Sequence, residues 1–157
     1  MKIYLDTNII STIVNKIGFN RLDINEAEYE ALSSVILGSI SSGMKFCTSK
    51  IAGEEIDKIP TQYREMHSLL FQLLPQLEFV PEHRTNSNLL LLGVGGGSVP
   101  DPLLLKLSIK FGNEDARHIF QAIKNEADVF LTSDTKITKN SCELIKLLKP
   151  SQLIKLL

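Results

Sequence analysis

The chain has little with which to cross-link itself: two cysteines in 157 residues, Cys47 and Cys142, far apart and without CxxC spacing. They suit small buried residues in a reducing compartment better than a disulfide or a zinc site. It also lacks an excess of charge of either sign. Seventeen Lys and Arg stand against 18 Asp and Glu, for a formal net charge of -1, so no broad basic field marks a general nucleic-acid binder and any such contact has to be local. Long apolar runs are missing too. The longest, Leu89 to Leu92, falls far below the ~20 residues a membrane span needs, and no leader with a cleavage site is seen. A soluble, cytoplasmic protein without a membrane partner is expected. The glycine-rich stretch Gly93 to Ser98 lacks the GKS/T ending of a P-loop, and no strand clearly feeds a GxGxxG. It reads as a flexible loop, or a flap over a site.

What is present alternates. Lys2-Ile3-Tyr4-Leu5 is a short apolar run stopped by Asp6-Thr7-Asn8, with Ile9, Ile10, Ile13, Val14 and Ile17 following at helical spacing. Asn25 with Glu28 three residues on suggests a variant capping box for a helix to about Ser41, with Tyr29, Leu32, Val35, Ile36 and Ile40 as its buried stripe. Lys45 to Thr48 reads as a second strand, after which Ser49 caps a helix carrying Ile51, Glu55 and Ile56. Pro60 restarts the pattern in a helix to about Leu74, and Leu77 to Val80 reads as a third strand. Beyond the glycine-rich region, Leu103 to Ile109 is a short helix and Glu114 to Lys124 a longer one. Val129 to Thr132 is the strongest strand, Glu143 to Leu147 a fifth, and Ser151 to Leu156 a terminal helix docked by Leu153, Ile154 and Leu157. The expectation is a single domain over 1–157: an α/β three-layer αβα fold with a central, mostly parallel sheet of about five strands.

In such a sheet, right-handed crossovers bring helix N-termini to the edge where the strands end, and ligands bind in the crevice there. Asp6 and Asp134 directly follow strands, Asp115 sits in the first turn of a helix, and Glu54 or Glu55 lies within two turns of another. Each has a plain reading as a helix cap or first-turn acid. Together they fall on one edge. Two carboxylates ~4 Å apart repel by ~4 kcal/mol at an effective dielectric near 20, so such a cluster stays ionised at neutral pH only with a cation. Hard oxygen donors in that number favour Mg²⁺ or Mn²⁺.

Ile3-Tyr4-Leu5-Asp6-Thr7-Asn8, Cys47-Thr48-Ser49 with Glu55-Ile56, Asp115-Ala116 and Leu131-Thr132-Ser133-Asp134 resemble, in order and over nearly the whole chain, the four motifs of PIN domains, the metal-dependent ribonucleases that include VapC-type toxins. The resemblance implies a metal-dependent endoribonuclease with Asp6, Glu55, Asp115 and Asp134 as its acidic site. Asp6, Asp115 and Asp134 would hold the metal, Asn8 would brace the first turn, and Thr132 or Ser133 would orient water or the carboxylates. It also implies RNA as substrate, and a protein antitoxin or a second copy of the chain as partner. The glycine-rich stretch and Ser133, where an Asn is frequent, depart from the pattern. Glu55 is preferred to Glu54 because it shares a helical stripe with Ile51, and Glu54 stays open. Lys50, Arg117, Lys136 and Lys139 lie where phosphates would be contacted, and a solvated surface is the plain reading of each; His118, three residues from Asp115, either faces the site or packs its helix. Two alternatives remain: a PIN fold used for RNA binding or assembly without turnover, and a phosphatase with an Asp nucleophile. The second lacks its DxD pattern, since Asn8 occupies the second acidic position.

Overall fold

A computed structural model describes residues 1–19, 25–73, 77–83, 86–87 and 99–157. The expectations for Leu89 to Leu92 and Gly93 to Ser98 fall outside the described residues. Five strands, β1 (Lys2–Leu5), β2 (Lys45–Ser49), β3 (Leu77–Val80), β6 (Val129–Leu131) and β7 (Lys146–Leu148), form one sheet in the order β3-β2-β1-β6-β7. Every neighbouring pair in it is parallel. A separate two-residue ladder pairs β4 (Asn86–Ser87) antiparallel with β5 (Val99–Pro100).

The strand sequences explain the layers. Successive side chains of a strand point to opposite faces, and here both faces are apolar: Ile3 and Leu5, Phe46, Val129 and Leu131 pack on one side, while Tyr4, Cys47 and Phe130 pack on the other. A sheet buried on both faces needs helices on both. The first face is covered by α1 (Thr7–Phe19), α2 (Glu26–Ser42) and α8 (Pro150–Leu153), through Ile9, Ile13, Leu32, Val35 and Leu153. The second is covered by α5 (Pro102–Phe111), α6 (Asn113–Lys124) and α7 (Thr135–Thr138), through Leu104, Leu107, Ile119, Phe120 and Ile137. The connection from β2 to β3 is the helix pair α3 (Lys50–Ile56) and α4 (Thr61–Leu73). No helix among the described residues is long and apolar enough to cross a membrane.

Several local expectations shift. Thr7 and Asn8 are the first residues of α1 rather than a separate turn. On α2, Leu32 and Val35 are buried but Ile40 is 68% exposed. Only half the capping box forms: Asn25 accepts from the Glu28 N–H, while the Glu28 carboxylate turns instead to the N–H and hydroxyl of Ser151 at the start of α8. Ser49 occupies the N-cap position of α3 without a side-chain capping bond. The fifth strand begins at Lys146 rather than Glu143, because β6 offers only Val129 to Leu131 as partners. After α8 a single 3-10 turn, Ile154–Leu156, ends the chain, and of the three expected docking residues only Leu153 is buried; Ile154 and Leu157 are exposed.

Candidate active site

The strand order reverses at β1, from which the chain moves outward through β2 and β3 and then returns to β6 on its other flank. The crevice of such a sheet opens between the two strands where the direction switches. Asp6 leaves β1 there and Thr132 leaves β6. The Thr132 hydroxyl donates to Asp6 Oδ2 (2.7 Å) and accepts from Asn8 Nδ2 (2.8 Å) and from the Asp134 N–H (3.0 Å). Asn8 Nδ2 also donates to Asp6 Oδ2 (2.6 Å), and its Oδ1 accepts from the N–H and hydroxyl of Ser133. The three supporting residues therefore divide their work: Thr132 and Asn8 touch Asp6 directly, and Ser133 acts on it through Asn8. All bonds to the Asp6 carboxylate fall on Oδ2; among the described residues Oδ1 has no hydrogen-bond partner.

A cleft of about 460 Å³ opens over this edge, lined by Asp6, Thr7, Asn8, Ser11, Ile51, Glu54, Glu55, Lys58, Glu114, Asp115, Arg117 and His118. Three of the four acids expected from the sequence thus share one cavity. Asp134 does not line the wall, and its Oδ1 caps α7 by accepting from the Lys136 N–H (2.6 Å), yet its charge is felt by Asp115. Both Glu54 and Glu55 reach the cleft, contrary to the expectation that one would be rotated away, because the cleft is wide enough to take neighbours ~100° apart on a helix. Their surroundings differ. Glu54 faces Lys50 (3.9 Å) and Arg117 (3.8 Å), whereas Glu55 Oε1 meets His118 Nε2 at 2.9 Å.

The electrostatics follow from this crowding. Burial pushes Asp6 up to about 6, helped by the charges of Glu55 and Asp115 and opposed by His118 and the Thr132 bond. Burial and the neighbouring Asp134 raise Asp115 as well. Burial also works against ionised Glu55, but the bond and charge of His118 outweigh it and hold Glu55 below the usual carboxylate range. Burial disfavours charged His118, and the Glu55 bond with the charges of Asp6, Glu55 and Asp115 reverses that, so its pKa is raised. The Thr7 hydroxyl lies close enough to favour ionised Glu55 yet misses hydrogen-bond geometry, leaving its buried Oγ1 without a partner.

The donor set suits a hard divalent cation in its chemistry: carboxylates that raise one another's pKa values, and an orphaned hydroxyl beside them. Among the described residues, no three of the His, Cys, Asp and Glu side chains are gathered closely enough to hold an ion. Of the basic residues expected to meet phosphate, Arg117 lines the cleft and Lys50 stands beside it through Glu54, while Lys136 and Lys139 lie on and just after α7, outside the wall. Two contributors were missed in the sequence. Lys58 lines the cleft; its place one turn after Glu54 was the signal. Lys149 donates from Nζ to Thr135 Oγ1 at 2.8 Å, at the start of the helix that Asp134 caps. His118, for which the sequence leaves both facing the site and packing its helix open, does both: it is buried, and its Nε2 meets Glu55 in the cleft.

No protein-family model matches the chain, and no curated protein sequence does. Among solved structures, a chain of the complex described as VapBC2 from Rickettsia felis bound to a DNA fragment from their promoter is similar, with a TM-score of 0.61 at 16% identity over 94% of this chain and 98% of that one. The likeness is one of fold, and with the all-parallel five-stranded sheet covered on both faces it makes this a PIN-like three-layer α/β fold.

Proposed function

We propose that the protein is a PIN-type endoribonuclease that uses Mg²⁺ or Mn²⁺ to cleave RNA phosphodiesters. The observation that carries this reading is the meeting of Asp6, Glu55 and Asp115 in one cleft at the switch point of a PIN-like fold, with the charge of Asp134 felt by Asp115. Asp6, Asp115 and Asp134 would hold the ion, directly or through water, with Glu55 completing the ring. When bound, a divalent ion supplies neutralisation of phosphate charge and acidification of the attacking water. The chain's own residues do the rest. Thr132 and Asn8 fix the Asp6 carboxylate; Glu55, kept ionised by His118, is the acceptor placed to take a proton within the cleft; Arg117 and Lys58 face the incoming phosphate from the same wall. No side chain has to act as nucleophile.

The reading extends to a toxin of a toxin–antitoxin pair, with a protein antitoxin or a second copy of the chain covering the cleft; this rests on the VapBC2 likeness. The deciding experiment is cleavage of a labelled RNA in Mn²⁺ against EDTA, with Asp115→Asn beside the wild type. Metal-dependent cleavage lost in the variant supports the proposal; equal activity in EDTA or in the variant removes it. One observation favours a rival, a PIN fold that binds or assembles without turnover: the acids are not drawn to a common point among the described residues. Calorimetry separates the two, since absence of Mn²⁺ binding to the folded protein would favour the rival.

A further inference from the structure

Behind Glu55 runs a file of hydrogen bonds built from four separate elements, part-buried at Glu55 and buried beyond it. His118 Nε2, on α6, meets Glu55 Oε1, on α3, at 2.9 Å; His118 Nδ1 meets the Tyr4 hydroxyl, on β1, at 3.2 Å; and that hydroxyl meets Ser49 Oγ, at the end of β2, at 2.7 Å. Tyr4 and Ser49 are fully buried and His118 is 2% exposed. Tyr4 is itself held, stacked on Phe130 with ring centres 5.6 Å apart, and it meets the His118 ring edge-on at 6.2 Å.

We propose that His118 is the positioning residue of this cleft, fixing the Glu55 carboxylate through Nε2–H while the Tyr4 and Ser49 hydroxyls hold the imidazole from behind. The inference deepens the nuclease reading and rests on it for its catalytic consequence. Donor and acceptor chemistry sets the direction. An ionised carboxylate only accepts, so the nitrogen facing it carries the proton. In the neutral ring Nδ1 is then an acceptor, the Tyr4 O–H donates to it, and the Tyr4 oxygen accepts from Ser49. Each step has a partner of the right kind.

Ser49 supplies an independent sign that the file is built for more than packing. A serine at an N-cap ordinarily turns its oxygen to the helix N–H groups, and losing that cap costs about 1 kcal/mol. Ser49 makes no such bond; its hydroxyl goes to Tyr4 instead. Glu55 also needs a holder. It stands near the end of a seven-residue helix, its side chain is 31% exposed, and His118 is its hydrogen-bond partner among the described residues. Loss of a residue that orients an acid at a metal site of this kind lowers activity about 10- to 100-fold.

The test uses the full chain and has two readouts. Long-range proton–nitrogen NMR of the metal-free protein at alkaline pH, where His118 is neutral, should show the Nε2–H tautomer. In Tyr4→Phe, Nε2 should stay protonated while the Nδ1 resonance moves to the position of a nitrogen without a hydrogen bond. An Nδ1–H tautomer, rapid averaging of the two forms, or an Nδ1 signal indifferent to Tyr4→Phe would overturn the proposal. For Mn²⁺-dependent RNA cleavage, His118→Leu should lose about 10- to 100-fold in kcat with KM little changed. His118→Gln, whose amide can still donate to Glu55, should recover most of it, and His118→Leu should cost nothing further in a Glu55→Gln background. Full activity in His118→Leu, or additive losses in the double variant, would overturn it too. A wild type that cleaves no RNA would bring down the nuclease reading, and the spectra alone would then decide whether His118 holds Glu55.

Discussion

Asp6 gives a quantity that can be checked without any substrate. Its carboxyl is raised from 3.8 to about 6 in the folded protein, with burial as the leading cause. The folded state therefore holds this proton more tightly than the unfolded chain does, and stability is lost as pH rises from about 4 through about 6. A difference of roughly 2 units at 1.36 kcal/mol each makes ionised Asp6 cost about 3 kcal/mol at neutral pH. Asp6→Asn removes that cost and keeps an oxygen for the Thr132 and Asn8 donors. Without metal, the variant should gain about 3 kcal/mol relative to wild type between pH 4 and pH 7.5, whatever constant offset the amide introduces. For a domain of this length that corresponds to roughly 6 to 12 °C of midpoint. Urea unfolding in EDTA at the two pH values measures it. A difference that does not change with pH, or that runs the other way, would refute the account of Asp6 as a buried, uncompensated anion. Saturating Mn²⁺ should reverse the comparison if the carboxylate binds the ion, because a ligand of the native state stabilises wild type and not the amide.

Glu55→Gln should lower Mn²⁺-dependent cleavage far more than Glu54→Gln, since only Glu55 touches His118; equal effects or the reverse order in a rate assay would show that the wrong glutamate has been chosen. Asp134→Asn should abolish cleavage yet hold the melting temperature, because Asn caps a helix as well as Asp does, and marked unfolding would make Asp134 purely structural. Thr132→Val should cost about 2 kcal/mol in chemical denaturation, as three partners lose one hydroxyl; a change within ~0.5 kcal/mol, the usual scatter of neutral surface changes, would contradict that. RNA affinity, followed by anisotropy with a cleavage-resistant oligonucleotide, should need metal and fall with salt. If about three of Lys50, Arg117, Lys136 and Lys139 touch phosphate, the slope of log K against log salt is about -2, and a slope several times steeper would reveal a basic surface elsewhere.

Much of the sheet could be read from the sequence because each strand is an apolar run ended by a polar or breaking residue, as at Leu5-Asp6 and Leu131-Thr132. The acids could be placed on one edge because topology alone puts strand ends and helix starts there. Side-chain partners were another matter. That Glu28 leaves Asn25 for Ser151, or Ser49 leaves α3 for Tyr4, depends on residues far away in sequence that no local pattern encodes. His118 illustrates the same limit: a histidine three residues after Asp115 points inward in either reading, and only the position of Glu55 on another helix distinguishes packing from a hydrogen bond. Periodicity places Ile40 in the core, but at that end of α2 it is Ser39 that is buried while Ile40 is exposed.

The bond between Thr132 and Asp6 joins residues 126 positions apart, and that separation governs how the protein matures during synthesis. A ribosome delivers β1 first and completes its neighbour β2 about forty residues later, but the strand on its other flank, β6, emerges only when most of the chain has been made. Until then Asp6 has no Thr132 to orient it, and one edge of β1 is open. Contacts of such long sequence separation form late and slowly. A chain ending before residue 129 would carry Asp6, Glu55 and Asp115 in its covalent structure and still lack the Thr132 and Ser133 groups that hold Asp6 and Asn8. The same delay leaves an unpaired central strand exposed on translation intermediates, where chaperone binding or aggregation would compete with completion of the sheet.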